Sequence, residues 1–502
     1  MIALGWLVVA LSSLDDIHDW GDDWAHYAGQ ARGLAEGTLQ QELELSRFRN
    51  TYSTEPFGPT VAPWGFPLVL APFYALSDGD LSSLKIPSCV FYALFLVTIF
   101  LLFEDRIDDV SRLLLVAVFA LNPILFHFQN QVLSDIPFLF YSTSSLLLID
   151  RCILHRRFFF QPIIDLTLLG TMISLACLTR TVGVLLLVTA GAVQVIHWIS
   201  ERPSSLVQHV LDRRSEVLVY GVALLGLVLA AALLPSAEVG ASAQFAYLHE
   251  ESFGEIVTRL ADRIWTYALL PSEFFYSEAV PPPVRTGLAV FTLAFAMVGA
   301  ARRFKRDAAF LVYCVLTFGV LILTDFFDEL RYLFPLLPFL LYFAVVGLTL
   351  PAQTAAGSFW KSWRAWPIGR LFAGAVVALF AAHLAMVFDR PPREPKPYEP
   401  FGENGRAMLS YIVNETDEDA VVIFFKPRAM TYLTGRRSIV VSRFDQVFDG
   451  RADYIVLLKQ RIGDQLPARA PFWRERREDY ETPFWNRSFL ILDLRPGSPK
   501  RL

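Results

Sequence analysis

Between Asp15 and His26 the chain sets five aspartates, Asp15, Asp16, Asp19, Asp22 and Asp23, beside the histidines His18 and His26. Clustered carboxylates do proton-transfer work: partial desolvation and a like-charged neighbour raise a carboxyl's pKa, which suits it to act as a general base. His26, one helical turn beyond the pair Asp22 and Asp23, would orient either carboxylate. The competing role is structural, because an aspartate just ahead of a helix accepts from its free N–H groups and suits its dipole. One aspartate is enough for a cap; five are not. A divalent cation among Asp19, Asp22, Asp23 and His26 would find the oxygen ligands hard cations prefer. The set has no regular ligand spacing, so no cofactor is expected.

Two other groups of residues have chemical potential. His127, Gln129, Asn130, Gln131 and Asp135 crowd a short connection between two apolar runs. Turn chemistry and a Ser134 cap account for part of that. Asp135 lies inside the second run, however, and is expected to face a polar cavity rather than lipid. Arg180 and Arg331 stand at the ends of apolar runs, against the local charge bias. Such a residue either snorkels to solvent or offers its planar fork to an anionic lipid headgroup, gripping phosphate with two parallel hydrogen bonds. Lys85, at the head of another run, could join them.

The elements that must position these residues are written in the composition. The chain has 502 residues, 54% hydrophobic and 19% charged, with a mean hydropathy of +0.42. That is too apolar for a soluble enzyme, and repeated apolar runs indicate a mainly α, polytopic helical membrane protein. The formal charge of −5 is small and mixed, which gives no nucleic-acid footprint. Cys89, Cys152, Cys177 and Cys314 lie in or beside apolar runs, as small core residues rather than disulfides or zinc ligands. There is no Walker or dinucleotide glycine pattern.

About eleven spans are expected, over roughly 2–14, 85–103, 112–127, 132–150, 163–179, 182–199, 216–234, 286–301, 308–324, 332–350 and 369–388. Ile2–Leu14 lacks the basic start and small-residue cleavage site of a signal peptide and is kept as a span. It is shorter than the ~20 residues a crossing takes, so either its flanks are partly buried or the chain begins upstream. Arg106 and Arg112; Arg151, Arg156 and Arg157; Arg202, Arg213 and Arg214; Arg302, Arg303, Lys305 and Arg306; and Lys361, Arg364 and Arg370 then share one face. That face is cytoplasmic by the positive-inside rule. The protein is expected in the plasma (inner) membrane if bacterial, with loops 15–84, 128–131, 180–181, 235–285 and 325–331 and everything after 389 extracytoplasmic. The cytoplasmic loops are too short to house a nucleotide-binding domain.

The expected organisation is a transmembrane catalytic domain over 1–390, a proline-rich linker over 391–400 and an extracytoplasmic α/β domain over 401–502. In the first outer loop, helical spacing of Trp24, Tyr27, Ala28, Ala31, Leu34 and Ala35 predicts an amphipathic helix over 24–36, lying on the membrane surface and stopped by Gly37. A proline-punctuated turn over 55–67 and a short apolar helix over 68–76 follow. In the last domain the pattern predicts helices over 406–413 and 429–433, and strands over 420–425, 438–441, 454–459 and 489–494.

In order, these motifs resemble a known group. Asp22-Asp23-x-x-x-Tyr27-x-x-x-Ala-Arg32-Gly after a first apolar span is similar to the acidic-pair motif that opens the first outer loop of the GT-C membrane glycosyltransferases. The likeness is greatest to the protein mannosyltransferase and aminoarabinose-transferase branch, which uses polyprenyl-phosphate sugars. Trp64-Gly-Phe-Pro67, Ser134-Asp135-Ile-Pro, Leu178-Thr-Arg180-Thr-Val-Gly183 and Arg331-Tyr-Leu-Phe-Pro335 fall where that family places such elements. The chain departs at Asp23, where many relatives carry Glu, and it shows no β-trefoil insert.

The resemblance implies a GT-C-like fold and metal-independent, inverting transfer of a sugar from a polyprenyl-phosphate donor to a protein, lipid or glycan acceptor outside the cytoplasm. Asp22 or Asp23 would deprotonate the acceptor hydroxyl. Arg180, Arg331 and Lys85 would hold the departing lipid phosphate, and His26, Tyr27, His127, Asn130 and Asp135 would orient substrate. Two other readings use the same residues. A transporter or flippase of lipid-linked sugars would carry polar residues at mid-membrane depth and helices broken in paired halves, whereas here most ionisable groups sit at the outer ends and Asp165 is the exception. A polysaccharide polymerase or ligase would share the acidic outer loop and differ in its donor.

Overall fold

The computed structural model describes residues 2–54, 58–201, 213–235, 251–278, 280–324, 329–348, 368–388, 394–442, 447, 450–459 and 480–495. Residues 55–57 of the proline-punctuated turn, 236–250 of the second long outer loop and 325–328 of another lie outside the described residues. So do 349–350 of the tenth expected span, 391–393 of the linker, 496–502 of the last domain, and Arg202, Lys361 and Arg364.

Helix α1 (Ile2–Ser12) leads into the first long loop, which folds as α2 (Asp22–Glu36), α3 (Leu39–Tyr52) and α4 (Gly65–Ser77). The helical part continues through α5 (Leu81–Leu102), α6 (Asp109–Ala120), α7 (Pro123–Gln129), α8 (Asp135–Leu148) and α9 (Pro162–Thr179). It goes on through α10 (Val184–Glu201), α11 (Val217–Leu233), α12 (Phe253–Leu269) and α13 (Pro282–Arg303), and ends with α14 (Ala308–Leu323), α15 (Leu337–Leu348) and α16 (Ile368–Phe388). Local sequence sets several starts. Asp80 and Asp108 cap α5 and α6 by accepting from the Ser83 and Ser111 N–H groups at 2.9 and 3.1 Å.

Every expected span contains a helix, but they are not all long enough to cross. Among the described residues seven helices pass by length and composition, or eight if α6 and α7 count as one bent span. Helices α1, α14 and α15 have 11, 16 and 12 described residues, short of the ~20 a crossing takes. The run expected as one helix over 112–127 is broken by 57°. Its cause is Asn122-Pro123: a residue before proline avoids the helical region, and Asn122 turns extended (ψ 120°) to cap α7 through Leu125 N–H.

At the end that carries the short basic loops, a buried ion network ties helices together. The Arg106 guanidinium donates to Asp150 Oδ1 (2.5 Å), in the π-helical turn after α8, and to Asp307 Oδ1 (2.8 Å), just ahead of α14. Tyr342 of α15 donates to Asp307 Oδ2 at 2.7 Å. A charge this deep is tolerated only when paired. Elsewhere α13 and α15 touch backbone to backbone. A Cβ added at Gly299 would lie 1.9 Å from the Phe343 carbonyl oxygen, and one at Gly347 would lie 2.0 Å from that of Phe295.

The chain after 394 forms α17 (Glu403–Glu415), β1 (Val421–Ile423), α18 (Pro427–Thr434), β2 (Arg437–Ile439), β3 (Tyr454–Leu458), β4 (Glu481–Trp485) and β5 (Phe489–Asp493). The sheet order is β2-β1-β3-β5-β4, with β1 parallel to β2 and β3, and β5 antiparallel to β3 and β4. Strand β4 was not foreseen. It holds Pro483, which is acceptable because β4 is an edge strand, and its register slips between Glu481 and Phe484. This unit packs on the first long loop: the Trp20 ring meets Phe424 edge-on at 4.9 Å and its Nε1–H donates to the Tyr398 carbonyl at 2.6 Å.

Helix α2 also differs from expectation. It is not a helix lying on lipid, because Trp24, Ala28 and Ala31 are fully buried where α2 packs against α3, α4 and α18. Its small residues permit that closeness; a Cβ at Gly33 would come within 3.0 Å of Leu39 Cα. Gly37 does end it, in the left-handed conformation (φ 73°).

The glycine contact between α13 and α15 yields a prediction. Gly347→Ala should lower thermal stability in detergent by about 1–3 kcal/mol through overpacking. Gly319→Ala in α14, where nothing lies within 4 Å of the added carbon, should be near neutral. Equal melting temperatures for the two variants would contradict the close crossing.

Candidate active site

Helix α2 begins at Asp22, so Asp22 and Asp23 occupy its first turn, and Gly21 stands at the cap position without a side-chain bond. The capping role for Asp23 is therefore not what the structure shows. Consecutive helical residues point about 100° apart, and the two carboxylates part company. Asp22 turns toward the C-terminal domain. It is 8% exposed, and its Oδ1 accepts from Ala429 N–H in the first turn of α18 at 3.1 Å. Burial pushes its carboxyl above the ordinary range, and Arg428 and Lys426 only partly oppose that.

Asp23 turns toward a cavity of about 120 Å³. Its side chain is 44% exposed; Oδ2 accepts from Arg331 at 2.9 Å, and Oδ1 lies 3.7 Å from the Arg428 guanidinium. Burial alone would push this carboxyl up. The guanidiniums of Arg331 and Arg428 outweigh burial and hold it below the ordinary carboxylate range, so it is ionised at neutral pH.

The cavity collects residues from distant parts of the chain. Arg180 is the single extended residue between α9 and the next turn (φ −148°, ψ 137°) and pairs with Asp135 in the first turn of α8. Asp135 is buried and lines the cavity, as its place inside an apolar run predicts. Arg331 sits ahead of α15, and both the Arg180 and Arg331 guanidiniums stand over the Tyr332 ring, each 5.2 Å from its centroid. Attraction to the ring lowers the cost of holding two like charges close together. Three arginines (180, 331 and 428) and two carboxylates (23 and 135) line the cavity, with Arg180 paired to Asp135 and Arg331 to Asp23. Among the lining side chains the excess is cationic, which suits an anion, while Glu329, outside the lining, binds Arg331.

The remaining expected residues divide. Tyr27 lines the cavity and shares a hydrogen bond with Ser134 Oγ at 2.8 Å; burial, with Asp23 adding to it, pushes its phenol up to about 12. His26 also lines it but orients no carboxylate. Its Nε2 meets the Thr60 carbonyl at 3.3 Å, and burial, with Arg428 and Arg49, holds its pKa well below the ordinary value, so the ring is neutral and donates. Lys85 lies apart from the cavity. Its buried Nζ donates to the carbonyls of Asp15 (2.9 Å) and Ile17 (2.8 Å) and pairs with the Asp15 carboxylate, tying the exit of α1 to the head of α5. His127 and Asn130 sit at the end of α7, outside the lining, and His127 is exposed.

Two lining residues with polar side chains escaped the sequence reading. Tyr332 was inside a recognised motif without a role. Arg428 follows Pro427 at the start of α18, and only folding brings it to residue 23. Among the described residues, no group of three or more His, Cys, Asp or Glu side chains could hold a metal ion.

The architecture matches solved structures along nearly its whole length. ArnT from Cupriavidus metallidurans in the apo state superposes with a TM-score of 0.56 at 11% identity, over 98% of this chain and 97% of that one. The same protein bound to undecaprenyl phosphate gives 0.58 at 12%, over 99% and 98%. The fold is that of ArnT, the GT-C type. Residues 68–234 of this chain match the family model described as dolichyl-phosphate-mannose-protein mannosyltransferase. No curated protein matches it in sequence.

The division of labour within the acidic pair is open to test. Asp22→Ala should cost about 1–3 kcal/mol by leaving the Ala429 N–H unsatisfied at a buried seam. Asp22→Asn keeps an accepting oxygen and should melt near the wild type in detergent. Melting points that do not separate the two variants would contradict the assigned bond.

Proposed function

We propose that this GT-C protein transfers a sugar from a polyprenyl-phosphate donor to an acceptor hydroxyl, with inversion, on the extracytoplasmic side of the membrane. The observation that carries the reading is Asp23 held 2.9 Å from Arg331 in a cavity that Arg180 also lines. An ionised base and a cationic seat share one small space. The fold and the matched family segment support the donor class, as does the neighbour solved with undecaprenyl phosphate. The face is assigned from the positive-inside rule: among the described residues the basic Arg157, Arg303, Arg306 and Arg370 all meet the turn at 105–108, away from the cavity lining. The C-terminal domain, packed on α2, lies on the cavity's side.

In the proposed step the acceptor hydroxyl gives its proton to the Asp23 carboxylate while its oxygen attacks the anomeric carbon. The bond from that carbon to the phosphate oxygen breaks, and its electron pair leaves with the polyprenyl phosphate. Attack from the face opposite the leaving group inverts the centre. Arg180 and Arg331 meet the growing phosphate charge with fixed donors, typically the larger catalytic contribution. As Arg331 shares its fork with the phosphate, its hold on Asp23 loosens and the carboxylate becomes more basic. No step is routed through a metal. Lys85, engaged at the exit of α1, has no part in the scheme.

Asp23→Asn should lower kcat with a polyprenyl-phosphate sugar by about 10²–10⁴-fold, while Asp22→Asn retains most of the rate. Wild-type turnover in Asp23→Asn would overturn the assignment. Arg331→Gln should weaken both donor binding and turnover; an unchanged KM and kcat would remove it from the phosphate seat.

A further inference from the structure

We propose that the C-terminal domain completes the active site through Arg428, a positioning residue that brackets Asp23 against Arg331 and pins the loop at residues 58–60 beside it. This rests on Asp23 being the base, and it adds that the base is held from outside the membrane domain.

The geometry begins at the seam between α2 and α18. Two helix N-termini meet there, and a side chain from the first turn of each crosses the seam. Asp22 gives α18 an acceptor for Ala429 N–H. In return α18 sends Arg428, its second residue, past Asp22 toward the cavity. Pro427 at the first helical position needs no N–H partner and fixes where Arg428 starts. Arg428 is 8% exposed; one Nη lies 3.7 Å from Asp23 Oδ1, and the other donates to the Pro59 carbonyl at 3.3 Å. The loop is shaped to admit it. Gly58 adopts φ 70°, and a Cβ there would lie 2.9 Å from an Arg428 nitrogen. The same guanidinium therefore pairs with the carboxylate and holds Pro59, which also lines the cavity.

Charge follows from that placement. The cations acting on Asp23 come from three elements: Arg331 ahead of α15, Arg428 on α18 and, more weakly, Arg180 after α9. On its own helix Tyr27 faces it and stays neutral. Asp135 is engaged with Arg180, and Glu329 binds the far side of Arg331 at 2.5 Å. On the other flank of Arg428 stand Asp22, Lys426 and the buried Arg49. Removing Arg428 takes away one of the two main charges that favour ionised Asp23. Its pKa then rises, and activity that needs the carboxylate fails at a higher pH.

The test is the pH dependence of kcat/KM for sugar transfer by the full-length protein in detergent, with Arg428→Gln, Arg428→Lys and Asp23→Asn compared. In Arg428→Gln the acidic limb should move up by roughly one pH unit and kcat should fall, beyond what a loosened domain alone would produce. Arg428→Lys keeps the charge and loses the fork, so its acidic limb should stay near the wild-type position while kcat remains depressed. A folded Arg428→Gln protein with wild-type kcat and an unmoved limb would overturn the proposal. Should Arg428→Gln fail to fold, Arg428→Lys decides, and a limb displaced upward despite the retained charge would refute it. Full activity in Asp23→Asn would instead sink the underlying assignment of the base, whatever the arginine variants do.

Discussion

Two adjacent carboxylates on one helix turn cannot face the same way, and the rest of the site depends on that constraint. The ~100° step between helical residues sends Asp22 into the seam with the C-terminal domain and Asp23 into the cavity. One carboxylate anchors a domain while its neighbour is available for chemistry. Their surroundings then push them in opposite directions, since burial dominates at Asp22 and guanidinium charge dominates at Asp23. Sequence neighbours of identical type become chemically distinct groups without any change of residue.

The cavity's electrostatics also depend on which cations were used. Arginine keeps its charge in a poorly solvated place and stacks on rings, so Arg180 and Arg331 can both stand over Tyr332 while paired with Asp135 and Asp23. Lysine is a compact point charge that satisfies a ring of nearby oxygens well, and Lys85 does that where α1 leaves the helical bundle. The acidic cluster at the head of the chain is accordingly shared out. Asp15 pairs with Lys85, Asp19 accepts from Gly21 N–H and meets His18, and only Asp23 is left facing the cavity. At the other end of the helices, the Arg106, Asp150 and Asp307 network fixes how the bundle closes.

Much of this was legible in the sequence. Apolar runs marked where the helices lie, though not how many of them cross, and the ordered motifs brought Asp23, Tyr27, Asp135, Arg180 and Arg331 together on paper as they are in the fold. What failed was whatever depended on contact between distant segments. The lysine at the head of α5 looked like a phosphate ligand because its partner carbonyls at Asp15 and Ile17 carry no sequence signature. Helix α2 looked interfacial because an apolar stripe reads the same against lipid as against another domain. Periodicity could not reveal the bend at Asn122, which one proline imposes, nor β4, whose proline argues against a strand except at an edge. Nothing local tied Arg428 to residue 23.

The seam between α2 and α18 has a consequence for how such a protein comes into being. Asp22 and Ala429 are 407 positions apart, so during synthesis α2 exists long before α18 does. Until α18 is made and folded, the Asp22 carboxylate lacks its partner N–H and Asp23 lacks the Arg428 guanidinium beside it. The order of translation therefore sets when this seam can close.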